Sequence, residues 1–213
     1  MKKIISFVLA CVMALSLSVV AFAAGNETEI TGSTQVPTIN VTVPATGTVT
    51  INPYGLEVTV DSVKVTDQII SGVTYLESTT LTALRVSATV TGTQNGNAKL
   101  ATATTQGAKA PTTNSVFLYM EIGKATKKDG SGDPTWATAY DSKAANQVLV
   151  SAKATTKADV VTMDKSADGT AATYAAFRLA GDAASAPATA WTTADTVDVT
   201  IAFTFLPTVV AAP

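Results

Sequence analysis

From Ile39 to Leu206 the chain keeps returning to a period of two, and no other feature limits its possible folds so tightly. Ile39, Val41 and Val43 fall on one face of an extended segment. Pro44-Ala45-Thr46-Gly47 then reads as a turn, after which Val49 and Ile51 resume the alternation. Pro53-Tyr54-Gly55 breaks the chain again, and Leu56, Val58 and Val60 alternate with Glu57, Thr59 and Asp61. Further strands are expected at Ile69 to Leu76, Leu81 to Thr91, Lys99 to Thr104, Ser115 to Gly123, Gln147 to Lys153, Asp159 to Met163, Tyr174 to Ala180 and Thr196 to Leu206. Thr, Val and Ala dominate, and the first two are β-branched residues that suit a pleated surface. The straight-chain helix formers Leu, Glu, Lys and Arg are scarce.

About ten short strands separated by turn chemistry, such as Gln94-Asn95-Gly96-Asn97 and Asp168-Gly169, predict an all-β fold, either a sandwich or a barrel. The segment 115–123 favours an antiparallel β-sandwich of the jelly-roll or immunoglobulin-like kind. Val116, Leu118, Met120 and Ile122 make one of its faces apolar, and Phe117 and Tyr119 do the same for the other. A strand apolar on both faces sits centrally and is covered twice. Two segments stay open. Thr170 to Gly181 reads as a strand by the alternation of Ala175, Phe177 and Leu179, but its Thr start and Gly stop also fit a short helix. Trp136 to Gln147 could form a helical turn or two, with Trp136 and Tyr140 on one face.

The first residues read as an export signal: Met1-Lys2-Lys3 is basic, Ile4 to Val20 is apolar, and Ala21-Phe22-Ala23 has the small-x-small pattern of a cleavage site. The expected organisation is a signal peptide over 1–23, a loose polar segment over 24–35 and one sandwich domain over 36–213. The chain's one cysteine, Cys11, lies inside the signal, so the exported chain would be cysteine-free and held by burial and sheet pairing alone. It would carry about 190 residues, twelve basic and sixteen acidic. A net negative charge argues against nucleic acid and against anionic lipid as partners. No second apolar run is long enough for stable membrane insertion once the signal is gone.

With no histidine and no cysteine beyond the signal, the chain lacks the commonest general base, the usual zinc and copper ligands, and the Ser-His and Cys-His pairs. Two catalytic routes survive. A glycosidase needs only paired carboxylates, for which Glu57, Asp61, Glu77 and Glu121 are candidates. A Ser-Lys hydrolase could use Ser62 with Lys64 or Ser151 with Lys153, each pair on one strand face. Both sets read more simply as solvated residues of a sandwich. Asp164-Lys165-Ser166-Ala167-Asp168-Gly169 has calcium-loop spacing, yet Ala175 stands where the bidentate acid belongs. Asp129, Ser131 and Asp133 repeat that spacing with Pro134 in place of the glycine. Asp-Gly turns explain both loops, so no metal and no cofactor is expected. Trp136 and Tyr140 lie in the long connection 124–146, where a sandwich usually carries its binding residues, and with Tyr54 they are the candidate ligand contacts. Trp136 could equally fold back as a core plug, and Trp191 reads as one.

Residues 41–56, VTVPATGTVTINPYGL, and residues 197–207, VDVTIAFTFLP, resemble secreted β-sandwich surface proteins of Gram-positive bacteria, broadly of the WxL-domain kind. The name-giving Trp-x-Leu is absent, since the tryptophans stand in Trp136-Ala137-Thr138 and Trp191-Thr192-Thr193. The resemblance implies an extracellular or cell-surface location and assigns no residue a role. The resulting expectation is a secreted, non-catalytic structural or adhesive protein. Its partner would be a cell-wall or host glycan, a protein or another copy of itself. A carbohydrate-binding module using the loop aromatics is the alternative, and a carboxylate-based glycoside hydrolase stands behind it.

Overall fold

The alternation becomes strand wherever one side of the chain can be buried. The computed structural model describes residues 39–43, 49–52, 54, 56–60, 62–102, 114–184, 192 and 194–208, all within one compact unit from Pro37 to Pro213. These contain thirteen strands and no helix: β1 (Val41–Thr42), β2 (Val49–Ile51), β3 (Val58–Val60), β4 (Val63–Val65), β5 (Ile69–Ser71), β6 (Thr74–Ser78), β7 (Leu84–Gln94), β8 (Lys99–Leu100), β9 (Ser115–Ala125), β10 (Gln147–Leu149), β11 (Thr155–Met163), β12 (Thr173–Ala183) and β13 (Val197–Pro207).

The fold is all-β and sandwich-like. One layer is a six-stranded sheet ordered β1-β6-β12-β9-β10, with β8 also on β9; the other is the three-stranded sheet β11-β7-β13. Two small ribbons, β2-β5 and β3-β4, complete it. Pairing is antiparallel except for β8, which runs parallel to β9. Between the layers lies the main core. Leu84, Val86, Ala88 and Val90 of β7 face Val116, Leu118, Met120 and Ile122 of β9, joined by Leu76, Met163, Ala175 and Leu179. Burying one such aliphatic side chain stabilises by roughly 1.5–3 kcal/mol, so this alternation is the main source of stability in a fold without a disulfide.

As expected, β9 is central and covered twice, with its first eight residues all buried. The Thr170–Gly181 ambiguity resolves to strand from Thr173 onward, because β12 pairs with β9 from Tyr174 opposite Ala125 to Ala183 opposite Val116. The helical option for 136–147 is not taken: the segment is irregular up to β10. The single strand expected from Ile69 to Leu76 is broken at Gly72-Val73 into β5 and β6. The hairpin strand β4 was not anticipated; it turns back from β3 through Ser62, whose φ is +68°. Leu56, expected to alternate in line with Val58, precedes β3 and is exposed.

Candidate functional site

The break between β5 and β6 shapes a concavity among the described residues. β6 follows β12 only as far as Thr74 opposite Phe177; beyond Gly72 the chain turns to pair with β2 instead. Side chains then replace ladder bonds along β12, with the Leu179 N–H donating to Ser71 Oγ at 3.2 Å and the Ala183 N–H to Gln68 Oε1 at 3.4 Å. Gly181 takes φ +155°, and a Cβ there would fall onto the Phe117 carbonyl oxygen, so β12 can lie this close to β9 only through glycine. The result is a groove of about 930 Å³. Tyr119, Arg178 and Ala180 form its floor, residues 65–72 one wall, and Trp136, Ala137 and Thr138 the other.

The second wall is held by polar groups buried on the outer face of β9. Glu121, 1% exposed, accepts from the Ala137 N–H at 2.9 Å and from Gln147 Nε2 at 3.4 Å through one oxygen, and from Arg178 Nη2 at 3.3 Å through the other. Arg178 also donates to the Ala137 carbonyl at 3.1 Å, and its guanidinium lies 4.9 Å from the centroid of the Trp136 ring. Gln147 accepts from the Asp141 N–H at 2.6 Å and donates to the Ala139 carbonyl at 3.3 Å. A buried carboxylate is costly unless paired and hydrogen-bonded, and here one Glu–Arg pair fastens residues 136–146, an irregular strap over β9, to two strands. Arg178 Nε is buried with no hydrogen-bond partner among the described residues, so the pair is not fully satisfied.

The three candidate contacts separate. Trp136 is half-buried in the groove wall. Tyr140 is buried beneath the strap, its ring edge-on to Phe117 at 5.3 Å and tilted against Tyr119 at 5.3 Å, and so serves as a plug for a second small core. Burial pushes both phenols above their ordinary pKa of 10.0, and the nearby Glu121 carboxylate adds to the rise at Tyr119. Tyr54 sits in the turn after β2, outside the groove lining. Trp191 lies outside the described residues. Sequence reasoning missed Arg178, Tyr119 and the 65–72 wall; the one available signal was Arg178, the single basic residue of β12, flanked by Phe177 and Leu179.

The catalytic candidates are occupied by neighbours. Glu57 pairs with Lys64 at 2.6 Å, Glu77 with Lys128 at 2.8 Å, and Glu121 with Arg178; Asp61 lies outside the described residues. Ser62 stands in the β3–β4 turn while Lys64 bonds Glu57, and the Ser151 hydroxyl donates to the Lys153 carbonyl at 2.5 Å. In the calcium-spaced loop, Asp164 pairs with Lys124 at 2.7 Å. Asp168 Oδ1 accepts from the Ala171 N–H, the Thr170 N–H and the Thr170 hydroxyl at 2.7–2.8 Å, and these bonds hold its carboxyl below the ordinary value. In the other loop, Asp129 accepts from the Ser131 hydroxyl and N–H, and Tyr75 donates to Asp133. The Asp129 and Asp168 oxygens cap turns, while Asp164 and Asp133 bond the distant Lys124 and Tyr75. Among the described residues no group of three or more acidic, His or Cys side chains is placed to hold a metal ion.

No family model matches this chain, and neither does any curated protein or any solved structure.

Proposed function

We propose that this is a secreted, non-catalytic protein of the bacterial cell surface, structural or adhesive, that makes its contacts through the groove beside β12. One observation carries the reading: Asp67 is the single carboxylate among the groove-lining residues, and Glu121 beneath the strap is committed to Arg178 and the Ala137 N–H. Glycoside hydrolysis needs two carboxyl groups facing one another at roughly 5–10 Å, so the groove is equipped to hold a partner rather than to cleave one. Saccharide binding is the second reading. It is favoured by Trp136 lining the same groove as Thr138, Asp67 and Gln68, an aromatic with polar groups of both kinds.

Antibody labelling of intact cells and secreted material under the electron microscope tests the first reading, with label expected on the surface or on extracellular structures. Label confined to the cell interior would refute it. For the second, purified protein is expected to be retained on insoluble cell-wall polysaccharide without releasing reducing sugar, and Trp136→Ala to weaken retention by about tenfold or more, the loss of roughly 1.4 kcal/mol of stacking and contact. Equal retention of the variant removes the groove from the account.

A further inference from the structure

The two edges of the three-stranded sheet are built differently. β11 is guarded in two ways: its register with β7 shifts between Lys157 and Val161, where Asp159 adopts φ +52°, and Lys157 points to the inner side opposite Ala88. The Lys157 ammonium donates to the Ala144 and Gln147 carbonyls, and burial pushes its pKa down. Bulges and inward-pointing lysines are the usual devices that stop one sheet from adding to another. β13 has neither. All eleven of its residues pair with β7 in unbroken register, and β7 is its only strand partner among the described residues. Its sole charge is Asp198, and proline enters only at its last position. Its inner side chains Val197, Val199, Ile201, Phe203 and Phe205 reach the main core but stay half-exposed, whereas Leu84, Val86 and Val90 of β7 are fully buried. Among the described residues no further strand covers the core on this side of β13.

The geometry points to β13 as the strand through which two copies of this chain pair, antiparallel about a twofold axis at Ala202, joining two three-stranded sheets into one of six. The sequence of β13 selects a second copy as the occupant. About Ala202, Ile201 meets Phe203 of the other copy, Val199 meets Phe205 and Val197 meets Pro207, so every inner position extends the half-covered core. On the outer face, Thr200 meets Thr204, and Asp198 meets Leu206, an exposed leucine, instead of another carboxylate. A symmetric interface needs a patch complementary to itself, and this register supplies it without like charges in opposition. The pairing is independent of the groove: its failure would leave retention on polysaccharide untouched, and loss of that retention would leave the pairing untouched.

Sedimentation of the exported protein over a wide concentration range is expected to show a monomer–dimer equilibrium. Thr200 and Thr204 are exposed, so substitutions there spare the fold, which thermal melting verifies. T200K/T204K places like charges opposite one another twice across the axis and is expected to weaken dimerisation about tenfold; T200K/T204E places opposite charges there and is expected to restore it. T156K/T162K on the guarded edge is expected to leave the dimer unchanged. The inference is overturned if the protein stays monomeric at every concentration, or if T200K/T204K and T200K/T204E weaken association equally. It is also overturned if association survives T200K/T204K and disappears when residues 24–38 are removed, which would assign it to exchange of the N-terminal segment.

Discussion

The two faces of β9 are equally buried and differently made. Its inner side chains, Val116, Leu118, Met120 and Ile122, pack into the apolar core against side chains of the opposite sheet such as Leu84, Val86 and Val90. Its outer ones, Phe117, Tyr119 and Glu121, meet an irregular strap that brings Tyr140, Trp136 and the Ala137 N–H. Both solutions exclude water. The inner one does so with non-directional contacts between regular layers, so many sequences could supply it. The outer one depends on a few directional bonds, because a strap without strand structure must have its backbone polar groups satisfied individually. The same strap forms a wall of the groove. Non-directional packing is therefore concentrated on one face of the strand, and the candidate binding surface is built on the other, where directional bonds also hold the fold.

The largest effect expected from this division is on the inner face. Leu118→Ala removes a fully buried side chain between packed layers that can collapse only partly, and should cost about 3–4 kcal/mol, read as a melting-temperature drop of roughly 10 °C. A cost below about 1 kcal/mol would mean that the layers close over the gap and that the inner face is less rigid than its packing implies.

On the outer face, Glu121→Ala should cost about 2–4 kcal/mol, somewhat less than breaking a fully buried pair, because the Arg178 side chain keeps 27% of its surface in solvent. It should also weaken partner retention, since the Ala137 N–H loses its acceptor and the Trp136 wall its tether. The double variant with Arg178→Ala should cost less than the sum of the two single changes. Additive costs would show that the two side chains act separately and that the strap is held by something else.

The inner face could be read directly from the sequence. Alternation marks the faces of β7, β9 and β13, and burial on one side enforces it. The central place of β9 was equally legible, because no half-solvated strand carries Phe117 and Tyr119 opposite Leu118 and Met120. The outer face was legible only in part. Trp136 stood out as a rare aromatic in a long connection, but its partner Arg178 is forty-two positions away, and their meeting follows from the β12–β9 register, which opposes Arg178 to Glu121. Tyr140 carried the same signal as Trp136 and turned inward. A residue type and a loop do not say which of two aromatics finds the space under the strap. The break at Gly72 was hidden for a similar reason, since residues 69–76 are rich enough in Ile, Val, Tyr and Leu to read as one strand and the different partners, β2 and β12, separate β5 from β6.

The smallest expected effect is at alkaline pH, and it discriminates between the faces because the inner-face residues of β9 cannot titrate. Tyr119 and Tyr140, both on the outer side, have their phenol pKa values raised by burial, with further contributions from the carboxylates of Glu121 and Asp141 respectively. A phenol whose folded value lies above its unfolded 10.0 stays protonated in the folded chain after it has ionised in the unfolded one. Folding then binds the proton more tightly, so stability is intact below pH 10 and falls as pH rises through that value, until the folded phenols ionise as well. Phenolate absorbance should therefore rise at higher pH in the native protein than in denatured chain, and the melting temperature should decline over the same interval. Tyr119→Phe/Tyr140→Phe should flatten that decline, leaving the residual contribution of Tyr75, whose phenol is also raised. If the double variant loses stability above pH 10 as steeply as the parent, the two buried phenols are not the origin of the alkaline sensitivity, and the strap over β9 admits more water than its hydrogen bonds indicate.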